Sequence, residues 1–357
     1  MAVRVLVLGG TGAMGSHLCR LLAGRGCTVV CTTRRGGKAS CGVDYVVGDA
    51  KDPVFLGGLL EEHWDAIVDF MVWSTAEFRE RYRGFLASTG QYVFTSSYRV
   101  YADVPVIRED SPRLLDVVDD DEYLATDEYA LCKARCEDLL FGSGSSNWTI
   151  VRPAVTYDGA NGRFQLGVFE LGDWIWRAEK GVPVPMPREI LRKQATMTSG
   201  ADVAEMISRL VGNPDARGEA FTASGSDHMT WGDVADAYAA VLPLRVVECS
   251  LPAFERQRGS VYQVRYDRML NRVVDNSKVL AATGIGGKNL TPMREGLVRE
   301  LGAFLETGRK PECSFGFQGK MDCLCGGFAS FVPVVRDGGL LAAGKYAVRR
   351  AMAGIAK

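Results

Sequence analysis

Apolar positions along this chain fall into two patterns, short β-branched runs and longer stretches of helical period. Residues 3–8 (VRVLVL) make the first run, as a strand buried on both faces of a parallel sheet requires, and 16–22 then reads as a helix. Runs at 28–33 (TVVCTT), 45–47, 64–71 (WDAIVDFM), 92–95 and 148–151 predict five more strands, with helical segments between them. A helix is predicted over 129–141 (YALCKARCEDLLF), with Thr126 as its N-cap, Asp127 and Glu128 in its first turn and Gly142 at its end. Strand and helix alternating through the first half argue for an α/β chain with a doubly wound parallel sheet.

Beyond Tyr157 the pattern loosens. Helices are predicted over 163–180, 201–211, 233–242 and 291–307, a proline-rich loop at 183, 185 and 187, and a short strand over 219–223. From Cys313 the chain changes character, with glycines at 316, 319, 326 and 327 among Phe315, Phe317, Phe328 and Phe331. Residues 338–356 fit an amphipathic helix carrying Lys345, Arg349 and Arg350. A tail packed on its own domain or on a second subunit is the favoured reading, and a peripheral membrane or partner contact is the alternative.

Composition narrows the classes of function. With 357 residues, 47% hydrophobic and 24% charged, the chain has the make-up of a soluble globular protein of one large domain or two smaller ones. A formal net charge of -1 gives no reason to expect a nucleic-acid surface, and no apolar run is long enough to cross a bilayer. The first strand begins almost at the N-terminus with no secretory pattern before it, so a cytoplasmic setting is expected. The ten cysteines lack zinc-ligand spacing and only three histidines accompany them, so reduced thiols and no metal are expected.

Three clusters carry candidate chemistry. Glycines at 9, 10, 12 and 15 follow the first strand and open the first helix, the context in which backbone N–H groups receive a pyrophosphate. Both G-x-G-x-x-G (10, 12, 15) and G-x-x-G-x-x-G (9, 12, 15) are satisfied. The second strand ends in Thr33 with Arg34 and Arg35 behind it, where an NAD-selective fold often places a carboxylate. Guanidinium groups there favour a 2′-phosphate and hence NADP, with NAD as the alternative and a solvated basic turn as the plain reading. Asp49 suits an adenine amino group or a loop cap. Tyr129 and Lys133 lie four apart on one helix face, so an ammonium can favour the phenolate of a general acid/base. Ser97, just past the fifth strand, is placed to polarise a substrate oxygen, with Ser96 as runner-up.

These motifs resemble the extended short-chain dehydrogenase/reductases, the NAD(P)-dependent family of sugar epimerases, dehydratases and reductases. The likeness rests on GGTGAMG at 9–15, Gly48-Asp49, TSSYRVYAD at 95–103, Tyr129-x-x-x-Lys133 and Val151-Arg152-Pro153, over roughly residues 3–307. Asp202-Val203-Ala204 and Asp275-Asn276-Ser277-Lys278 match later family motifs in their usual order. The resemblance implies a Rossmann-type sheet with a smaller C-terminal substrate domain. The cofactor domain would be 1–155 with about 200–226, the substrate domain 156–199 and 227–312, and 313–357 an extension. It implies Tyr129 as acid/base, Lys133 on the nicotinamide ribose and Ser97 on the reacting oxygen. The cofactor would lie along Gly9, Thr11, Gly12, Ala13, Met14, Gly15, Thr33, Arg34, Arg35, Asp49, Ala50, Phe70, Met71, Thr95, Arg152 and Pro153, and the substrate against Ser97, Tyr98 and Arg99.

Dehydratases of the family carry Asp-Glu after the catalytic serine or threonine, and Tyr98-Arg99 cannot do that acid work. With the arginines at 34 and 35, this tilts the expectation to a ketoreductase acting on a sugar or nucleotide sugar, with a 4-epimerase as close alternative. A homodimer is usual in the family. A non-catalytic sensor or RNA-binding member of the same fold is the competing class.

Overall fold

Seven parallel strands form the main sheet of the computed structural model, which describes residues 2–35, 42–259 and 261–355. The strands are β1 (Arg4–Leu8), β2 (Thr28–Thr33), β3 (Val43–Val47), β4 (Ala66–Asp69), β5 (Tyr92–Thr95) and β6 (Trp148–Pro153), with Glu219–Ala223 at the far edge. Their order is Glu219–Ala223, β6, β5, β4, β1, β2, β3, so the winding reverses between β1 and β4. The α/β doubly wound sheet is as the sequence predicts.

The central strands β1, β4, β5 and β6 are buried on both faces because their apolar residues alternate between two cores, whereas edge strand β3 stays partly exposed. Val5, Val7, Val29, Cys31 and Val68 face helix α1 (Gly15–Gly24) and the helix Gly200–Leu210. Leu6, Leu8, Ile67, Tyr92 and Phe94 face α2 (Pro53–Leu60), α3 (Thr75–Ala87) and the helix Tyr129–Phe141. Several expected boundaries move for identifiable reasons. β4 stops at Asp69, whose carboxylate accepts from the Met71 N–H (2.8 Å), Trp73 Nε1 (2.7 Å) and the Tyr92 hydroxyl (2.6 Å). Those bonds turn Phe70 and Met71 out of the strand. The helix 129–141 is capped by Glu128 and not by Thr126, since the Glu128 carboxylate accepts from the Ala130 N–H at 2.8 Å.

Clustering of contacts divides the chain into two units, 1–158 with 196–226 and 273–291, and 159–195 with 227–272 and 292–357. Residues 273–291, read from the sequence with the substrate part, pack in the first unit, where Val274 bridges to Ile107.

The second unit has small paired strands. Val184–Pro187, expected as a loop, pairs in parallel with Val246–Cys249. Prolines at 183, 185 and 187 fall on alternate positions, which leaves the Val184 N–H free to bond Arg245 O at 2.9 Å. The expected helix 163–180 shortens to Leu171–Glu179, because Gly167 (φ +56°) and reciprocal Leu166–Phe169 bonds fold the preceding residues into a turn. The tail from Cys313 packs in this unit as helices Phe315–Leu324 and Phe331–Ile355, the latter broken at Gly339 (φ 68°, ψ -166°). Gly319 permits their close approach, since a Cβ there would lie 2.4 Å from Tyr346 O. Buried Arg177 anchors the tail, donating to Asp322 (2.7 Å) and Gln318 Oε1 (3.0 Å), while Tyr346 and Ser330 donate to the second Asp322 oxygen.

Nine cysteines are free thiols, and Cys41 lies outside the described residues. Among the described residues no metal-binding cluster occurs, and no helix is long and apolar enough to cross a membrane.

Candidate cofactor and proton-transfer site

The site is built in the first unit at the C-terminal ends of β1, β2, β4, β5 and β6. Its glycines divide the work of the turn. Gly9 is left-handed (φ +69°), and its N–H donates to Thr32 Oγ1 at 3.0 Å. Gly10 and Gly15 serve close packing: a Cβ on Gly15 would lie 2.5 Å from Gly10 Cα, and one on Gly10 2.7 Å from Cys31 Sγ. A Cβ on Gly12 would meet nothing, so its missing side chain leaves open space beside Thr11. Helix α1 follows Met14, which gives it no side-chain cap, and its own first turn carries no acid. Ala13 is buried under Gly200, where a Cβ would fall 2.4 Å from Ala13 O. Gly200 was missed from the sequence because a glycine starting a distant helix carries no cofactor signature.

At the other edge, the Thr33 hydroxyl donates to Arg35 O (2.7 Å) and accepts from the Arg35 N–H (3.2 Å), fixing the turn after β2. Arg34 and Arg35 are exposed, and residues 36–41 lie outside the described residues. Asp49 is exposed and caps its own loop through the Lys51 N–H (2.9 Å), with Ala50 buried behind it. Phe70 and half-buried Met71 lie over the turn, Met71 Sδ standing 3.0 Å from where a Gly9 Cβ would be.

Lys133 is 2% exposed, and its ammonium donates to Thr95 O at 2.7 Å and Met71 O at 3.3 Å. It sits 4.6 Å over the Phe94 ring and 5.9 Å from the centre of the Tyr129 ring, one helical turn back. The other face of the problem is Asp69. Burial pushes its carboxyl above the ordinary carboxylate range, against the pull of Tyr92, Trp73, the Met71 N–H and the Lys133 charge. The Arg99 guanidinium lies 5.1 Å from the Tyr129 ring centre and donates to Glu128 at 2.6 Å.

The two serine candidates separate. Ser96 donates to the buried Glu137 carboxylate at 2.6 Å, whereas Ser97 Oγ accepts a local N–H, from Arg99, at 3.2 Å. Two expectations about side chains need correction. Arg152 does not present its guanidinium to a ligand: it is buried and bonded twice to Glu137 (2.8 Å each), and also to the Tyr101 hydroxyl (2.7 Å). Tyr98 is 2% exposed and packs in the interior, so it offers no open surface. Pro153, buried at the end of β6, has no N–H to give.

A dinucleotide fits these residues on two independent observations. The space at Gly12 faces an uncapped helix end, and the buried Thr95 Oγ1 at the end of β5 has no hydrogen-bond partner.

Comparison with known proteins agrees with the fold. Residues 5–83 match the model of the NAD dependent epimerase/dehydratase family. A curated relative, chloroplast stem-loop binding protein of 41 kDa b from Arabidopsis thaliana, is 27% identical over 256 residues, 66% of this chain and 62% of its own length. The match thus spans less than two thirds of that relative. An epimerase of Methanothermobacter thermautotrophicus superposes with a TM-score of 0.66 at 16% identity, covering 86% of this chain and 93% of that one. The Bordetella bronchiseptica enzyme WbmH, solved with NAD, gives 0.65 at 19% identity, covering 86% and 100%. A protein solved with UDP-glucuronic acid and NAD gives 0.65 at 17%, covering 85% and 99%. The resemblance to the extended short-chain dehydrogenase/reductases, of the NAD dependent epimerase/dehydratase type, is therefore carried by the family model over residues 5–83 and by the fold over most of the chain.

Proposed function

We propose that this chain is an NAD(P)-dependent enzyme that moves a hydride to or from a sugar, with a ketoreductase acting on a nucleotide-linked sugar as the best-supported form. The observation that carries it is Lys133: a buried ammonium fixed by the ends of β4 and β5, one helical turn from Tyr129. A buried cation fixed one helical turn from a phenol is costly to place, and it stands where a group that hands on a proton would need a fixed positive charge. Gly9, Thr11, Gly12, Ala13, Met14 and Gly15 would hold the pyrophosphate, and Thr95 and Lys133 the ribose. When bound, the nicotinamide supplies or accepts the hydride. Tyr129 passes the proton to or from the reacting oxygen, and Ser97 Oγ donates a hydrogen bond to it.

NADP is favoured by the exposed Arg34 and Arg35 and by Thr33 standing where a carboxylate would repel a 2′-phosphate. NAD is supported by the relatives solved with it. The relative solved with UDP-glucuronic acid supports a nucleotide sugar as substrate, and the Methanothermobacter epimerase supports a 4-epimerase with recycled cofactor as second reading. Following NADPH absorbance against keto-sugar nucleotides separates them. A reductase consumes one cofactor per product, whereas an epimerase forms product with no net change. The stem-loop binding relative supports a third reading, and stem-loop binding without any turnover would replace the enzymatic one. The homodimer implied by the resemblance and the cytoplasmic setting expected from the reduced thiols are part of the proposal, the former open to sedimentation.

A further inference from the structure

The tail helix after the Gly339 break has two unlike faces. Ala342, Tyr346 and Ala353, at helical spacing, are buried in the second unit. On the opposite face Leu340, Leu341, Val348 and Met352 are 87, 75, 59 and 56% exposed. Lys345 and Arg349, also exposed, follow Leu341 at four and eight residues and so run along one edge of that face. No aspartate or glutamate occurs from 338 to 357 in a chain whose formal net charge is -1. A cavity of about 1030 Å³ opens beside the face, lined by Phe315, Leu341, Lys345, Val348 and Arg349, with Glu312 as the one acid on it.

We propose that this face docks the protein on an anionic lipid surface. Four large apolar side chains in a helix of this length are too many to leave in water without an occupant, and too few for the helix to span a bilayer. Lying in the interface, the helix buries Leu341, Val348 and Met352 among acyl chains, while the long stems of Lys345 and Arg349 carry their charges out to the headgroups. A second copy of the chain fits less well. A two-fold interface sets a patch against itself, and this one would oppose cations to cations. The face is presented rigidly, because Tyr346 on its inner side is tied to Asp322 and through it to Arg177. The inference is independent of the hydride-transfer reading, since it uses no residue of the first unit.

The test is cosedimentation of the full chain with vesicles of phosphatidylcholine, with or without phosphatidylglycerol. The expected result is binding to the mixed vesicles alone, weakened by salt. Lys345→Gln with Arg349→Gln should lower the partition coefficient about tenfold or more, as should Leu341→Ser with Val348→Ser. All four sites are exposed, so each variant should keep the wild-type melting temperature. Absence of binding, or equal binding to neutral vesicles, overturns the proposal. So does a dimer in solution that Leu341→Ser with Val348→Ser makes monomeric, or capture of an acidic peptide by a chain that ignores vesicles.

Discussion

The two units hold their chains together by different means. In the first, backbone ladders of seven strands satisfy most polar groups, and apolar side chains fill both faces. In the second, strands come in short pairs, and buried guanidinium groups span the gaps. Arg268 donates to Gly167 O at 2.7 Å and Gln165 Oε1 at 2.8 Å, and it pairs with Asp267, which Arg272 also reaches at 3.2 Å. Arg177 does the same for the tail. A ladder imposes a period on the sequence, whereas a guanidinium meeting a carbonyl a hundred residues away imposes none. The first unit can therefore be read from its residues, and the second has to be seen.

Removing an anchor from each unit tests this contrast most strongly. Arg177→Met should cost about 3–5 kcal/mol, because it strands the Asp322 carboxylate without a counter-charge, and denaturant titration would read the loss. Arg152→Met leaves Glu137 with the Arg113 guanidinium at 3.5 Å and the Ser96 hydroxyl, so it should cost less, about 1–3 kcal/mol. The location of the damage is the sharper readout. Hydrogen exchange should rise throughout the tail helices in the Arg177 variant, yet stay slow in β1 and β4 in the Arg152 variant. Fast exchange across the whole sheet would erase the distinction.

Smaller effects probe the turn. Gly15→Ala forces a methyl against the Gly10 backbone and should destabilise by about 1–3 kcal/mol. Gly12→Ala points into open space and should stay within about 0.5 kcal/mol of wild type while weakening dinucleotide binding in a fluorescence titration. If both behave alike, the division of labour among the glycines is wrong. Ser74→Ala, which breaks the capping box with Glu77 on α3, should cost only about 1 kcal/mol in thermal unfolding.

Much of the first unit was legible because its signals are local. VRVLVL followed by four glycines announces a strand and a tight turn, and Tyr129 with Lys133 needs only the helical repeat to share a face. What could not be read depends on partners distant in sequence. Nothing in Ser96-Ser97 says which hydroxyl is taken until Glu137 arrives beside Ser96. Arg152 looks like a ligand residue in a motif until the same carboxylate closes on it. Asp69, buried with three donors around it, ends β4, and nothing in the run WDAIVDFM marks it as the stop. In the tail, nothing in the spacing of the glycines shows that Gly319 is a point of contact between helices.

In the proposed reaction a phenol beside a buried ammonium performs proton transfer at a dinucleotide site. Steady-state turnover of Tyr129→Phe, measured alongside cofactor affinity, tests it most directly. The expected rate is lower by about 10²–10⁴-fold, with the cofactor bound as tightly as by wild type. A variant that turns over at the wild-type rate would contradict it.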